Sequence, residues 1–155
     1  MSHLIGEFDC KLDAKGRLMV PSGLKKQLPA VDAEGLVMNR GFEKHLTIYT
    51  KEEWNKITAE LAQLNSYEKK TREFIRYFTR GASELSLDAS GRVLLPKSLL
   101  EYAGIGTEVV LSCQFDKIEV WAKDAYEAQL DDAPENFANL AEEVMGNKGK
   151  GAANV

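Results

Sequence analysis

The stretch LDAKGRLMVP, which starts at Leu12, returns as LDASGRVLLP at Leu87, and this repetition constrains the fold of the 155-residue chain more than any other feature. At a constant offset of 75 residues, Asp13 matches Asp88, Gly16 matches Gly91, Arg17 matches Arg92, Pro21 matches Pro96 and Leu24 matches Leu99. Further along, FEKHLTIYTKEEW from Phe42 answers FDKIEVWAKDAY from Phe115 after small length changes. The duplicated unit is about 45 residues long, too small to bury much surface alone. Two copies are therefore expected to pack together, or to interleave, around one core.

Within a unit, the alternation of Phe8, Cys10 and Leu12 predicts a half-buried strand, DAKG is turn chemistry, and RLMV is a second apolar run. The expected element is a β-hairpin or a tight β-loop-β. Asp at the first turn position can accept backbone N–H groups, and Gly16 or Gly91 can take a positive φ without a Cβ penalty. Pro21 and Pro96 are placed to open short helices, PSGLKKQL and PKSLLEYAG, with Gly104 closing the second. Thr50 and Glu53 have capping-box spacing ahead of a helix carrying Trp54, Ile57, Leu61 and Leu64.

A second helix is predicted near Tyr67–Arg80, where Phe74 and Phe78 share one face and Arg72, Arg76 and Arg80 recur every four residues along another. That arginine stripe reads as a solvated face pairing with Glu68 and Glu73, or as a contact to another subunit or to DNA. Trp54 and Trp121 read as core anchors at matching ends of the two units. After Trp121, KDAYEAQL and PENFANLAEEVM have helical patterns, the latter with Phe137, Leu140, Ala141 and Val144 at core spacing, as if to dock or cap. The resulting organisation is a first unit over 7–53, a helical connector over 54–81, a second unit over 82–125, C-terminal helices over 126–145 and a disordered tail over 146–155.

With 44% hydrophobic and 28% charged residues, the chain has the composition of an ordinary soluble globular protein. No stretch reaches membrane-span length, and MSHLIGEFDCKLD has acidic residues where a secretory signal needs an unbroken apolar run, so a cytoplasmic location is expected. Cys10 and Cys113 both lie in strand-like runs and read as reduced core thiols. His3 and His45 have no second ligand nearby in sequence and suit surface or packing roles, so neither a metal nor another cofactor is expected. The net charge of −4 is unevenly spread. Residues 124–145 hold seven Asp and Glu and no Lys or Arg, whereas residues 1–123 hold eighteen Lys and Arg against seventeen Asp and Glu. A body so close to neutral can still present a basic face.

An arginine after a turn glycine has two readings. It can close back on its own aspartate and hold the loop, or it can grip phosphate or guanine with its planar fork. Duplication favours the second, because packing asks for the Leu, Val and Pro but not for the same Arg twice. Lys15 adds a point charge, and Gly16 lets the backbone approach. The expected DNA-binding residues are Lys15, Arg17 and Arg92; Asp13, Gly16, Asp88 and Gly91 shape the loops, since a carboxylate is repelled by phosphate. Ser90 stands where the first copy has Lys15, which makes the second loop the less basic. No P-loop, nucleophile elbow or His–carboxylate pattern accompanies the aspartates, so no enzyme is expected. The alternatives are a partner-binding scaffold, or a metal-dependent nuclease using Asp13 and Asp88 as paired carboxylates.

The D-x-K-G-R-hydrophobic-x-hydrophobic-P motif, a second D-x-x-G-R some seventy residues on, the intervening helices and QFDKIEVW together resemble the MraZ family over about residues 4–130. The resemblance implies an α+β, AbrB-like (SpoVT-AbrB) fold in which duplicated β-α-β units form a swapped-hairpin β-structure with flanking helices. It also implies a nucleoid-associated bacterial transcriptional regulator of the division and cell-wall gene cluster, its own gene included. By the same resemblance, the protein binds short direct repeats of double-stranded DNA as a ring of identical subunits, with DNA contact assigned to D-x-x-x-R, here Asp13–Arg17 and Asp88–Arg92.

Overall fold

The computed structural model describes residues 3–132 and 136–153. β1 (Glu7–Lys11) runs through the first repeat loop into β2 (Arg17–Met19) and α1 (Ser22–Lys25), followed by α2 (Val31–Glu34), β3 (Leu36–Arg40), β4 (Leu46–Thr50), α3 (Lys51–Ala62) and α4 (Lys69–Thr79). The second half restates the order as β5 (Ser83–Leu85), β6 (Arg92–Leu94), α5 (Lys97–Tyr102), β7 (Glu108–Gln114), β8 (Lys117–Ala122), α6 (Lys123–Asp132) and α7 (Phe137–Ala153). The helices α3 and α4 that follow β4 thus have counterparts in α6 and α7 after β8. The repeat of elements is longer than the repeat of letters, because an amphipathic helix needs only an apolar period and its surface residues are free to change.

Local chemistry accounts for these elements. Pro21 and Pro96 stand at the N-caps of α1 and α5 with φ of −57° and −60°, one position ahead of the first helical residue. The Leu24 and Lys25 N–H groups donate to the Pro21 carbonyl at 3.0 and 2.8 Å, so the ring's fixed φ starts a helical turn. Thr50 caps α3, its hydroxyl accepting the Glu53 N–H at 3.2 Å.

The strands form a six-stranded antiparallel sheet in the order β1-β7-β8-β4-β3-β5 and a separate two-stranded ribbon of β2 and β6. Exchanging the halves maps both sheets onto themselves, so a pseudo-twofold relates the two copies. At the centre, Leu46 of β4 faces Val120 of β8, and Ile48 faces Ile118. The edge strands are exchanged: β1 pairs with β7 of the other half, from Glu7 opposite Ser112 to Lys11 opposite Glu108, and β5 pairs with β3. Of the two forms expected for D-x-x-G-R, the structure adopts the β-loop-β; β1 and β2 do not form a hairpin ladder. β1 gains a five-pair ladder on β7 that the three-residue β2 is too short to offer.

One face of the large sheet packs on the ribbon and on α1 and α5. Met38, Leu46, Val109 and Val120 are fully buried there, with Leu18 and Val93 meeting them from the ribbon and Leu24 and Leu99 from the short helices. Each such side chain removed from water contributes roughly 1.5–3 kcal/mol, and the contributors come alternately from the two copies. α3 and α4 pack on the first half's share of the opposite face, where Trp54 lies 5.6 Å from Tyr49 and 6.1 Å from Phe78, ring centre to ring centre. Trp121 is buried on β8 at the position Tyr49 takes on β4, so the two tryptophans anchor packing from non-equivalent sites. His45 is also buried, stacked at 4.4 Å on Trp121 with Nε2 3.6 Å from Glu119; burial holds its pKa below the usual histidine value. Cys10 and Cys113 are free, half-buried thiols whose pKa values burial raises.

The chain divides into two compact units, Met1–Lys123 and Asp124–Val155. In the second, the expected positions Phe137, Leu140 and Val144 share α7 and are 67%, 51% and 61% exposed. α7 continues through residues 146–153, most of the stretch expected to be disordered, since elongating an existing helix costs far less than nucleating one. Residues 154 and 155 lie outside the described residues. No helix among those described is long and apolar enough to cross a membrane.

Because the core interleaves both copies, Leu18→Ala should destabilise the first unit by about 2–5 kcal/mol in a single transition. Denaturant unfolding followed separately through Trp54 and Trp121, in Trp121→Phe and Trp54→Phe backgrounds, should give coincident curves. Two separated midpoints would contradict a shared core.

Candidate nucleic-acid interface

The two repeat loops have the same hydrogen bonding, residue for residue. In the first, Asp13 Oδ1 accepts the backbone N–H groups of Lys15 and Arg17, both at 2.9 Å, while Oδ2 accepts Arg17 Nε at 2.6 Å. In the second, Asp88 Oδ1 accepts those of Ser90 and Arg92, both at 2.9 Å, and Oδ2 accepts Arg92 Nε at 3.0 Å. The Gly16 and Gly91 N–H groups each return to the aspartate carbonyl at 3.0 Å, and both glycines have φ of +83°. A side chain there would be strained in a region L-residues seldom occupy, although space exists beside Gly16, where an added Cβ would come no closer than 3.6 Å to Leu100.

These bonds hold both carboxyl groups below the usual aspartate pKa. For Asp13 the leading cause is the Arg17 N–H and for Asp88 the Arg92 N–H, with the guanidinium groups adding to each. Solvent screens ion pairs exposed in this way, so their main consequence is geometric. Each aspartate grips its arginine by Nε and the backbone at once. Each guanidinium is thereby fixed along its Nε edge.

The fold then brings the loops together. On the ribbon, Arg17 lies opposite Leu94, Leu18 opposite Val93 and Met19 opposite Arg92. Alternation buries Leu18 and Val93 and turns Arg17, Met19, Arg92 and Leu94 to one outer face, where Met19 is 50% and Leu94 60% exposed. The copies also clamp each other. Val20 N–H donates to the Gly91 carbonyl at 3.1 Å, Leu95 N–H donates to the Gly16 carbonyl at 3.0 Å, and Arg92 Nη1 lies 3.7 Å from Asp13 Oδ2. Arg17 and Arg92, 75 residues apart in sequence, thus occupy one surface together with Asp13, Asp88, Gly16 and Gly91. Lys15 is exposed on the first loop and Ser90 on the second.

The first of the two sequence readings holds, since each arginine closes on its own aspartate, and both guanidinium groups remain partly exposed on the two-stranded ribbon. Sequence reasoning placed Met19 and Leu94 in apolar runs and missed their exposure. Strict alternation from Arg17 onward was the available signal, obscured because LMV and VLL are apolar throughout. Lys25 lies beside the second loop, its Nζ 4.0 Å from where a Gly91 Cβ would lie and 3.6 Å from Asp32 Oδ1.

Comparison with known proteins gives a consistent result. The family model described as MraZ protein matches the chain twice, over residues 4–77 and 78–148, so its period includes the helices after β4 and β8. A protein of Christiangramia forsetii named transcriptional regulator MraZ is 49% identical over 148 residues, covering 95% of this chain and 96% of that protein. Proteins of the same name from Flavobacterium psychrophilum and Ligilactobacillus salivarius are 45% and 37% identical, covering 95% and 91% of this chain and 94% and 96% of their own length.

Two outcomes follow from the loop geometry. A carboxylate whose folded pKa is depressed stabilises the loop above its unfolded value, near 3.9, and that stabilisation is lost as pH falls through the folded value. Carbon NMR titration should therefore place Asp13 and Asp88 below the ordinary aspartate pKa, with the loops intact at neutral pH and loosening in acid; an ordinary value would remove the clamp. Gly16→Val should cost on the order of 1–3 kcal/mol in thermal unfolding and distort the loop, and Gly16→Asn should cost less because asparagine tolerates positive φ. Equal melting of the parent and both variants would contradict this.

Proposed function

The chain belongs to the MraZ family of transcriptional regulators, and we propose that it acts by binding double-stranded DNA through the ribbon of β2 and β6. The observation that carries this reading is the pairing of Arg17 and Arg92 on one exposed ribbon, each held by its aspartate through Nε. A two-stranded β-ribbon fits the major groove of B-DNA, about 12 Å wide, and a guanidinium presenting two N–H groups matches O6 and N7 of guanine. Met19 and Leu94 lie beside the arginines, where apolar contact with a thymine methyl would be favourable. Lys15 adds a phosphate contact from the first loop, and Asp13 and Asp88 act by positioning the arginines.

The same geometry argues against the alternatives. Each aspartate already accepts three N–H groups, which leaves it poorly placed to serve as one of a pair of metal-binding nuclease carboxylates. A scaffold without DNA contact would not need the same clamped arginine twice. With a body nearly neutral in charge, one subunit offers few phosphate contacts, so we infer that several copies act together as a ring on short direct repeats. By family resemblance, the sites lie ahead of the division and cell-wall gene cluster that includes its own gene, in the cytoplasm at the nucleoid.

Arg17→Ala should abolish sequence-specific binding while leaving melting temperature and assembly mass unchanged, each guanine contact being worth roughly 1–3 kcal/mol of discrimination. Arg92→Ala should do less, lowering the slope of log affinity against log salt by about 1 for each phosphate it no longer neutralises. Gel shifts across a salt series, paired with melting and mass measurements, separate these effects. If Arg17→Ala bound operator DNA like the parent, or failed only because the protein fell apart, the ribbon would not be the reader. An array of boxes should bind about 10²–10⁴-fold more tightly than one box, and equal affinity would exclude the multivalent reading.

A further inference from the structure

The two repeat loops differ at one charged position, and the fold makes up the difference from elsewhere in the chain. Asp13–Arg17 holds two basic side chains against one acidic, whereas Asp88–Arg92 holds one of each, because Ser90 stands where the first loop has Lys15. Lys15 and Ser90 are both exposed, so the difference lies on the surface. The neighbours of the loops differ too. At Gly16, the point where a Cβ would lie is 3.6 Å from Leu100 Cδ1; at Gly91, the corresponding point is 4.0 Å from Lys25 Nζ. Leu100 and Lys25 are equivalent in the repeat, 75 residues apart, one on α5 and the other on α1. Each loop thus receives a side chain from the short helix of the opposite half: an apolar one where the loop has its own lysine, a cationic one where it has none.

We propose that Lys25 is the phosphate-binding cation of the second loop, supplied across the pseudo-twofold in place of the lysine that Ser90 does not provide. This rests on the reading of the ribbon as the DNA-binding surface and adds a residue to it. The Gly91 Cβ point also lies 3.8 Å from Met19 Sδ, so the ammonium group sits at the rim of the outer ribbon face that carries Met19 and Arg92. Phosphate contacts fix the position of a protein on the duplex without reading its sequence, and a compact point charge on a flexible stem suits them. Lys25 Nζ lies 3.6 Å from Asp32 Oδ1, with 41% of the lysine side chain and 75% of the aspartate side chain exposed. A pair so open to water is weak, and a phosphate oxygen can take the place of the aspartate. The two ends of the ribbon then have a lysine each, one in its own loop and one on α1. The charge pattern therefore departs from the twofold that the backbone follows.

The test uses the full-length protein, a duplex carrying the region upstream of its own gene and a scrambled duplex of equal length. Lys25→Leu gives the second loop the neighbour that the first already has. It should weaken binding to both duplexes alike and lower the slope of log affinity against log salt by about 1 per bound subunit, at unchanged melting temperature and assembly mass. Lys25→Arg should bind like the parent. Adding Ser90→Lys to Lys25→Leu moves the cation into the loop and should restore the slope. Asp32→Asn, which frees the lysine, should bind at least as tightly as the parent. The proposal is overturned if Lys25→Leu keeps the parent's affinity and slope while Arg17→Ala loses specificity; the ribbon would then stand without this contact. It is also overturned if Ser90→Lys restores nothing, or if Asp32→Asn weakens binding as Lys25→Leu does, which would give Lys25 a structural role through its pair with Asp32. Binding by Arg17→Ala like that of the parent would instead remove the ribbon reading on which the role of Lys25 depends.

Discussion

The pairing of β2 with β6 is the constraint on which the rest of the structure depends. It joins equivalent strands of the two copies at a short ribbon, and alternation along three residues decides two matters at once. Leu18 and Val93 point into the core and bind the halves into one hydrophobic unit; Arg17, Arg92, Met19 and Leu94 point outward and make one surface. A slip of one residue would exchange these faces, exposing the core leucine and burying two guanidinium groups, so register is strongly specified. The Gly16 and Gly91 carbonyls pin it further by accepting the Leu95 and Val20 N–H groups across the copies.

The clamp around each arginine fixes two cations on the surface of a nearly neutral body. Asp13 and Asp88 offset part of the arginine charge, which weakens long-range attraction, but they convert a flexible side chain into a fixed one. An arginine held by backbone and carboxylate loses less rotamer freedom when it meets a ligand, and preorganisation of this kind raises selectivity more than it raises general attraction. Arg92 beside Asp13 couples the two loops, so a change in one is felt by the other.

Exchange of the edge strands has a parallel effect on the scaffold. β1 completes the sheet of the other half and β5 does the same in return, so each half lacks an edge without its partner. The ribbon, the short helices that begin at Pro21 and Pro96, and the large sheet therefore share one core, and the outer ribbon face rests on a rigid support.

Much of this was legible in the letters. The 75-residue offset, the turn chemistry of Asp and Gly, the prolines opening the short helices and the Thr50 cap are local features, determined by backbone conformations that only a few residue types favour, and they appear where the sequence places them. The clustering of Asp13, Gly16, Arg17, Asp88, Gly91 and Arg92 was foreshadowed only as a repetition. Whether β1 would pair with β2 or with β7, that Met19 and Leu94 would face solvent, and that Trp54 and Trp121 are not equivalent were decided by the tertiary structure. The physical reason is that turns and caps are closed by hydrogen bonds within a few residues of chain, whereas strand partners and the faces of all-apolar runs are chosen by competition among distant segments for burial, which no local pattern records.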